Sequence, residues 1–577
     1  MKMLQGVAAS RGTGIGPTFK FIRAEIHIDE YKVENTEKEI QRFKDAAREA
    51  QKQIGKIYEK ALTESSATDA SIFEAHKMIL DDPEFVGAVE NKINSEKVCA
   101  ESAVNEAAQK FSATMAAMAD EYFKARALDI LDVGNRVLRI LLGVAESPTQ
   151  NLKESSVIVA DDLTPSDTIL LDKSLVLGFC TAQGSTTSHT AILARGLGLP
   201  AVAGVGKSVL TVDDGEMMIV DGTNGQVWVA PDEDTVTKFK QCQQMAQTIR
   251  MEALKQAKDH AVTMDDRVVE VVANIGNIEG AKVAIENGAE GVGLLRTEFL
   301  YLERSNLPTE EEQYQAYKSI LDVFGELPVV LRTLDVGGDK EIAYMGLEAE
   351  TNPFLGQRAL RLCLNRLDLF KPQLRAALRA GVGRNLKIMY PMVAAPYEVR
   401  EARKVYDECV AELETDGIPF AEKIEVGIMV EIPSAAVVAD QLAKVVDFFS
   451  IGTNDLSQYT MAADRTNPKV ATLSNAFQPA VLRLIGEVIK AGHKEGKWVG
   501  MCGELAGEPL ALPILIGLGL DEFSMSPPMV PLAKQIIRHL DAKEMESLAQ
   551  GALQLESPDE VQSYVKAKMP FIAEITG

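Results

Sequence analysis

Residues 448–455 read FFSIGTND, a short apolar run that ends in an amide and a carboxylate. Seven further strand-like runs follow the same plan in the second half of the chain, separated by stretches with helical periodicity. Eight strands that alternate with helices predict a (β/α)₈ barrel of the TIM type, with a doubly wound open sheet as the alternative. Reactive side chains follow nearly every run, and barrels carry their active sites at the carboxyl ends of their strands, which favours the barrel. The runs cover residues 268–275, 291–297, 329–335, 386–392, 425–432, 448–453, 498–503 and 521–525.

Three arginines lie at or just beyond the ends of these runs, namely Arg296, Arg332 and Arg465. A guanidinium presents a fork of N–H donors that matches the oxygens of a phosphate or a carboxylate. A single arginine at a strand end is usually part of a surface ion pair. Three that converge on one barrel mouth predict a clamp for an anionic substrate.

Two carboxylates, Glu431 and Asp455, end adjacent runs among these arginines. They are either salt-bridged to the arginines or ligands of a divalent cation. Mg²⁺ takes one or two protein carboxylates and completes its shell with substrate oxygens and water. The sequence therefore leaves two readings open, an ion-pair network and a magnesium site beside a phosphorylated acid.

Cys502 ends the seventh run, between the glycines of GMCGE at residues 500–504. A thiol at this position is a nucleophile, a proton donor or inert packing, and a lone cysteine is most often inert. Glycines on both sides allow a ligand to approach the backbone closely, so a functional thiol and inert packing both stay open.

His189 belongs to a loop of small hydroxyl residues, GSTTSHT at residues 184–190, that leads into an apolar helical stretch. The free amides at a helix N-terminus favour an anion. A neutral imidazole there can attack phosphorus and leave the phosphoryl group beside those amides. By pattern alone, a loop histidine is more often structural.

The first 260 residues predict a different architecture. One-sided apolar periodicity, opened by Thr36 and Glu39 as a capping box, predicts an antiparallel helical bundle. Short β-rich runs on both sides predict a small mixed α/β domain, to which residues 4–9 add a strand, so the bundle is an insertion in that domain. The predicted domains are the α/β domain at 1–34 and 144–232, the bundle at 35–143, a linker helix at 233–260 and the barrel at 261–577.

Composition excludes several classes of protein. The chain has 577 residues with 84 acidic and 60 basic side chains, a formal charge of −24, which disfavours nucleic acid or an anionic membrane as a partner. Its six cysteines form no C-x-x-C pair, as expected for a reducing cytosol. No apolar stretch approaches the roughly 18 residues that cross a bilayer. We therefore expect a cytoplasmic protein that is not inserted in a membrane.

Six strings match a known family: TSHT at 187–190, GLLRTE at 293–298, DVGGDK at 335–340, NPFLG at 352–356, FFSIGTNDL at 448–456 and GMCGE at 500–504. Over nearly its full length the chain resembles Enzyme I of the bacterial phosphoenolpyruvate-dependent sugar phosphotransferase system. This resemblance implies phosphoryl transfer from phosphoenolpyruvate to a histidine of the protein. The group then passes to a histidine of a small phosphocarrier protein and pyruvate is released, as the first step of sugar uptake.

The resemblance also implies roles for individual domains and residues. The α/β domain would swivel between the barrel and the carrier, on hinges near residues 145–155 and 231–234. The bundle would dock the carrier, and the barrel would form a homodimer. The implied site residues are His189 as the phosphorylated nucleophile, Cys502 as the proton donor to the enolate of pyruvate, Arg296, Arg332, Asn454, Asp455 and Arg465 for substrate, and Glu431 and Asp455 for Mg²⁺.

One string departs from the family pattern. Family members usually read GGRTSH, whereas residues 184–189 read GSTTSH, so Ser185 and Thr186 replace a glycine and an arginine. Two relatives and one other class are alternatives: an ATP-using dikinase, the nitrogen-related paralogue, and a silent regulatory scaffold. The sequence has no glycine-rich phosphate loop before a lysine, begins without a sensory domain, and keeps the arginines, carboxylates and thiol at the strand ends.

Overall fold

A computed structural model of the chain describes all residues except 11, 22–27, 65–66, 117–120, 145–151, 164–166, 168–170, 185–187, 303, 305, 338–341, 349, 466, 468 and 573–577. Ser185, Thr186 and most of the predicted hinge at 145–155 therefore lie outside the described residues. The chain forms two compact units, residues 1–243 and 244–577.

An eight-stranded mixed sheet organises the first unit. Its strand order is β1-β8-β7-β3-β4-β5-β6-β2, and β3, β4, β5 and β6 are parallel neighbours. Because side chains alternate along β4, Ile158 and Ala160 join the apolar cluster on one face and Val157 and Val159 join the cluster on the other. The strands are β1 Lys2–Gln5, β2 Val7–Ser10, β3 Thr13–Phe21, β4 Ser156–Ala160, β5 Val176–Thr181, β6 Ala201–Ala203, β7 Met217–Asp221 and β8 Gln226–Val229.

The strand predicted over residues 4–9 is divided in two at Gly6. β1 pairs with β8, and β2 pairs with β6, at the opposite end of the strand order. One residue therefore joins the two ends of the sheet, which must roll to bring them together. A Cβ at Gly6 would lie 2.6 Å from the carbonyl oxygen of Ala203, so only glycine fits this crossing.

The helical bundle is inserted between β3 and β4 and has an apolar core of its own, as predicted. Its start differs from the prediction, because the side chain of Asn35, not Thr36, accepts the amide of Lys38. The Glu39 carboxylate instead accepts the amide of Ala100, which begins another helix. The bundle helices are α1 Thr36–Glu64, α2 Ala67–Asp81, α3 Pro83–Glu96, α4 Ala100–Ala116 and α5 Glu121–Leu142.

The remaining helices of this unit are His189–Leu197 and Glu233–Lys255, and the second continues into the next unit. Asp232 caps the longer helix by accepting the amide of Thr235, and Phe239 packs on Trp228 with ring centroids 4.7 Å apart. The predicted linker is therefore helical over most of its length.

The second unit is a closed barrel of eight parallel strands, which confirms the prediction. β10 pairs with both β11 and β17, so the strand order returns on itself and an open doubly wound sheet is excluded. The short β9 pairs antiparallel with β10 outside the barrel. The strands are β9 Ala261–Val262, β10 Val268–Ile275, β11 Val292–Leu295, β12 Val329–Arg332, β13 Leu386–Tyr390, β14 Glu425–Val430, β15 Phe448–Ile451, β16 Trp498–Met501 and β17 Glu522–Met525.

Helices surround the barrel and cover the apolar outer face of its strands in one large core. They are Ile278–Glu286, Glu310–Phe324, Ala359–Asn365, Leu367–Ala380, Pro396–Thr415, Pro433–Val437, Ala439–Leu442, Thr453–Met461, Pro479–Lys494, Leu512–Leu518, Val530–Arg538, Ala542–Ala552 and Pro558–Lys568. Within the described part of the chain, none of the helices is long and apolar enough to span a bilayer.

The barrel interior changes in character from its floor, at the amino ends of the strands, to its mouth. Trp498 stacks on Phe448 near the floor, with ring centroids 4.4 Å apart, and Lys387 pairs with Glu425 there. A small apolar cluster of Leu294, Val330, Met389, Met429, Phe448 and Cys502 fills the middle. Charged side chains then occupy the mouth, so the polar groups have an apolar layer beneath them.

Candidate active site

Arg332, the last residue of β12, is fixed by two carboxylates at the barrel mouth. Its Nη2 lies 2.8 Å from Oε1 of Glu298, and its Nη1 lies 3.0 Å from Oδ2 of Asp335. Arg332 is 6% exposed. Burial disfavours its charge, but the two carboxylates outweigh that effect and hold the pKa of Arg332 above its ordinary value. The guanidinium is therefore a permanent, oriented cation.

Arg358 extends this network across the mouth. Its Nε donates to Oδ1 of Asp335 at 2.9 Å, and its Nη2 lies 3.2 Å from Oδ2 of Asp455. Asp455 in turn lies 3.8 Å from Nη2 of Arg465. Two of the three predicted arginines, Arg332 and Arg465, are thus joined by a chain of alternating charges.

Arg296 follows β11 and is exposed at the same end of the barrel. Its backbone amide donates to the carbonyl of Ile275 at 2.9 Å, which holds the Arg296 backbone against the end of β10. Among the described residues, its guanidinium has no carboxylate within 4.0 Å. The site therefore keeps one arginine outside the buried network.

Glu431 follows β14 and is 1% exposed, with Oε1 accepting the amide of Met392 at 2.6 Å. No salt bridge to Glu431 occurs in the described part of the chain, unlike Asp455. Burial raises the pKa of Glu431 to about 8, and the nearby carboxylates of Asp455 and Asp335 add to the rise. The two acids predicted as a pair therefore differ, since one is neutralised by arginines and the other is not.

The difference between Glu431 and Asp455 bears on whether the barrel mouth can bind a magnesium ion. The buried groups comprise two guanidiniums, Arg332 and Arg358, and four carboxyl groups. Burial and the neighbouring acids raise the pKa of Glu431, and a bound cation would favour its charged form. In the described part of the chain, Glu431 lacks a cationic partner, whereas Asp455 has two, Arg358 and Arg465. Such a pair of carboxylates suits a hard divalent cation, which prefers oxygen ligands. No cluster of three or more ligating side chains is present among the residues described, so such an ion would need oxygens from substrate or water. The donor set of Glu431 and Asp455 fits Mg²⁺ on these terms.

Asn454 and Cys502 complete the predicted barrel residues. Asn454 lies in the first turn of the helix Thr453–Met461, where its Oδ1 accepts the amide of Glu504 at 3.1 Å. Cys502 follows β16, is 4% exposed, and its amide donates to the carbonyl of Ile451. Burial raises the pKa of the Cys502 thiol to about 11, so the sulfur is protonated at neutral pH.

His189 lies in the other unit, at the first position of the helix His189–Leu197. Ser188 caps that helix, its Oγ accepting the amide of Ala191 at 3.4 Å. Thr190 donates its hydroxyl to Oδ1 of Asp162 at 3.1 Å, which ties the start of the helix to the loop that follows β4. His189 is therefore the first residue of a helix, where free backbone amides favour an anion.

Three charged residues of the network carried no prediction. Glu298 and Asp335 stand within the motifs GLLRTE and DVGGDK, and their proximity to Arg296 and Arg332 in sequence was a usable signal. Arg358 ends no strand, because it follows the short turn Pro353–Leu355 in a long connection. Only the fold reveals that it bridges two strand ends.

Three family models match the chain. Residues 250–542 match the PEP-binding domain of PEP-utilising enzymes, residues 5–126 match the N-terminal domain of those enzymes, and residues 152–225 match their mobile domain. The first covers the barrel, including every strand that contributes to the mouth. The third contains His189.

Whole proteins are similar over nearly the full length. A phosphoenolpyruvate-protein phosphotransferase of Priestia megaterium is 48% identical over 98% of this chain and 99% of its own. One of Bacillus subtilis (strain 168) is 46% identical, with the same coverage. A solution structure of an Enzyme I protein is 45% identical over 42% of this chain and 99% of that chain, with a TM-score of 0.39. From its relatives and its domain models, the chain belongs to the family of phosphoenolpyruvate-protein phosphotransferases.

Proposed function

We propose that the protein transfers the phosphoryl group of phosphoenolpyruvate to Nε2 of its own His189, releases pyruvate, and passes the group to a histidine of a small phosphocarrier protein. The observation that supports this most is the chain of charges from Arg332 to Arg465 at the barrel mouth. It holds cations in fixed positions for an anionic substrate, in the part of the chain that matches a PEP-binding domain.

In the proposed mechanism, Arg296, Arg332 and Arg465 bind the phosphate and carboxylate of the substrate, and Asn454 contributes a side-chain amide. Phosphoryl transfer depends mainly on positioning and on stabilising charge that is already oriented. Glu298, Asp335 and Arg358 act by holding those cations still, since each touches an arginine or Asp455.

Glu431 and Asp455 would hold Mg²⁺, which when bound neutralises charge on the substrate oxygens. The protein then acts as a magnesium-dependent enzyme, and chelation with EDTA should abolish phosphoprotein formation until Mg²⁺ is restored. Glu431→Gln keeps the size of the side chain and should raise the Mg²⁺ concentration needed for half-maximal rate. An unchanged Mg²⁺ requirement in this variant would contradict the assignment.

Cys502 donates the proton that the enolate of pyruvate needs at carbon. The thiol is buried and protonated at the base of the mouth, as a donor must be. Cys502→Ala should still form phosphoprotein from phosphoenolpyruvate, but should release enolpyruvate, which tautomerises in solution without stereochemical control. Chiral methyl analysis of pyruvate made in deuterated water from phosphoenolpyruvate stereospecifically tritiated at carbon 3 distinguishes the two routes.

His189 has to reach both the barrel and the carrier. We propose that the α/β domain, residues 1–34 and 144–232, swivels between them, and that the bundle at 35–143 docks the carrier. We further propose a cytoplasmic homodimer joined through the barrel at 261–577, which presents exposed apolar side chains such as Val437 and Leu473. Solution scattering with and without phosphoenolpyruvate tests the swivel, and sedimentation tests the dimer.

The central test uses ³²P-labelled phosphoenolpyruvate. His189→Ala should form no acid-labile phosphoprotein and pass no label to the carrier, while its affinity for phosphoenolpyruvate stays close to that of the wild type. His539→Ala, which removes an exposed histidine of the barrel unit, is the matched control. Label that still reaches the carrier through His189→Ala would refute the proposed function.

A further inference from the structure

Tyr459, on the helix Thr453–Met461, has no role in the mechanism above. It is half-buried and follows Asp455 by one helical turn, so the two side chains project from the same face of that helix. Burial raises the pKa of Tyr459 to about 12, so its phenol hydroxyl keeps its proton at neutral pH. The hydroxyl can therefore donate one hydrogen bond and accept another.

Both capacities of this hydroxyl are used. It donates to the carbonyl oxygen of Phe354, in the turn Pro353–Leu355, and it accepts a hydrogen bond from Nη1 of Arg358 at 3.3 Å. The ring centroid of Phe354 also lies 5.8 Å from the central carbon of the Arg358 guanidinium, a distance at which a cation is attracted to an aromatic ring. Tyr459 thus joins a turn of the connection after β12 to the charged network at the mouth.

The contact with Tyr459 completes the hydrogen bonding of Arg358, whose guanidinium has five N–H donors. Asp335 accepts from Nε at 2.9 Å and from Nη2 at 3.2 Å. Asp455 accepts from Nη2 at 3.2 Å and from Nη1 at 3.4 Å, which leaves the second N–H of Nη1 for Tyr459. Every donor of Arg358 therefore has an acceptor in the protein, and three side chains hold the guanidinium in one orientation.

The orientation of Arg358 matters for groups that the proposed function assigns to substrate and Mg²⁺. Arg358 bridges Asp455 and Asp335, and Asp335 in turn holds Arg332. Without the hydroxyl of Tyr459, one N–H of a buried cation would lose its acceptor, which is costly for a charged group. The guanidinium would then turn towards another acceptor, and both carboxylates would lose their present alignment.

We propose that Tyr459 is a positioning residue for substrate binding. Its hydroxyl fixes the turn Pro353–Leu355 against Arg358. Arg358 in turn keeps Asp455 and Arg332 in the arrangement that receives phosphoenolpyruvate. This inference rests on the proposed function. Because bound substrate can restore the arrangement at the expense of affinity, loss of the hydroxyl weakens binding more than it slows the chemical step.

Tyr459→Phe removes only the hydroxyl and tests the proposal. Rapid-quench measurement of phosphoprotein formation, with saturating Mg²⁺ and varied concentrations of ³²P-labelled phosphoenolpyruvate, gives a half-saturating concentration and a maximal rate. We expect the half-saturating concentration to rise about tenfold, as for the loss of one hydrogen bond to a charged group, and the maximal rate to change less than about twofold. Tyr344→Phe, which removes another phenol-to-carbonyl hydrogen bond, the one to Tyr301, is the matched control and should change neither quantity.

A merely structural role gives the opposite result. A smaller folded fraction lowers the maximal rate and leaves the half-saturating concentration unchanged, and that outcome in Tyr459→Phe would overturn the proposal. A wild type that forms no phosphoprotein would refute the proposed function, and this inference with it. An active wild type with an unchanged half-saturating concentration in Tyr459→Phe would refute the inference alone.

A double variant tests whether Tyr459 acts through Arg358. Arg358→Lys keeps a positive charge but loses the planar fork that Tyr459 and the two carboxylates hold. In this background we expect Tyr459→Phe to raise the half-saturating concentration by less than about twofold, because residues that act as a unit are not additive. The same tenfold rise in both backgrounds would show that Tyr459 acts independently of Arg358 and would overturn the proposal.

Discussion

The barrel mouth and the start of the histidine helix represent two ways to handle the same phosphoryl group. At the mouth, each of the buried arginines is held by carboxylates before any substrate arrives. At His189 the described neighbourhood consists of a capped helix start and a hydroxyl-to-carboxylate contact. A site that binds a charged substrate gains from cations that are already oriented, whereas the start of a helix offers its free amides to an anion.

The largest expected effect comes from breaking the fixed mouth at Arg332. Arg332→Lys keeps the charge but loses the fork that reaches both Glu298 and Asp335. We expect phosphoprotein formation to slow by about 10²- to 10³-fold, the range for one oriented donor. Rapid-quench measurement with labelled phosphoenolpyruvate gives the rate. Arg384→Lys, a change in a surface ion pair, is the control, and a loss below about fivefold at Arg332 would contradict the importance of fixed geometry.

The backbone beneath the mouth is equally constrained. A Cβ at Gly503 would lie 2.0 Å from Oγ1 of Thr453 and 2.4 Å from its amide nitrogen, whereas a Cβ at Gly276 would meet nothing within 4 Å. Gly503→Ala should therefore lower the free energy of unfolding of the barrel unit by about 2 kcal/mol, as overpacking does. Gly276→Ala is the matched control. Equal stability of the two variants in urea titrations would show that the strand ends are not rigid.

The buried carboxyl group of Glu522, near the barrel floor, should make the stability of the barrel unit depend on pH. Burial raises the pKa of Glu522 to about 8, so the folded state holds a proton that the unfolded state releases above its ordinary pKa of about 4.5. The folded state then binds more protons, and its stability contribution is complete below that ordinary value and falls as pH rises towards 8. Glu522→Gln should reduce this loss by up to about 1.4 kcal/mol per pH unit. Parallel slopes for variant and wild type in unfolding experiments between pH 5 and pH 8 would contradict the buried proton.

The smallest effect is expected at the start of the helix His189–Leu197. Ser188→Ala removes the oxygen that caps the helix His189–Leu197, which should cost the first unit about 1 kcal/mol. Ser188→Thr retains a capping hydroxyl and serves as the control. Because the Ser188 hydroxyl accepts a backbone amide rather than holding a substrate-binding cation, we expect phosphoprotein formation to change much less than with Arg332→Lys. A larger loss at Ser188 than at Arg332 would reverse the contrast between the two regions.

The sequence predicted the barrel because each parallel strand is a short apolar run whose last residues change character. The same pattern singled out four candidate site residues. They lie at or shortly after strand ends: Arg332, Glu431, Asp455 and Cys502. The pattern could not predict the position of Arg358, because the path of a connecting segment, and not periodicity, decides where a loop residue lies.

Local patterns failed where a distant partner decides the outcome. Thr36 and Glu39 have the spacing of a capping box, but Asn35 starts the helix one residue earlier and Ala100 provides a partner for the Glu39 carboxylate. Residues 4–9 have strand propensity throughout, but pairing with two different strands divides them at Gly6. In both cases a contact far away in sequence overrides a sound local preference.

The division at Gly6 has a consequence for handling the protein. The first ten residues supply the strands at both ends of the strand order, β1 and β2, so they are an integral part of the rolled sheet. Shortening this segment by proteolysis or by cloning would expose β8 and β6 together and leave two unpaired edges open to aggregation. Affinity tags and fluorescent fusions are therefore safer at the opposite terminus.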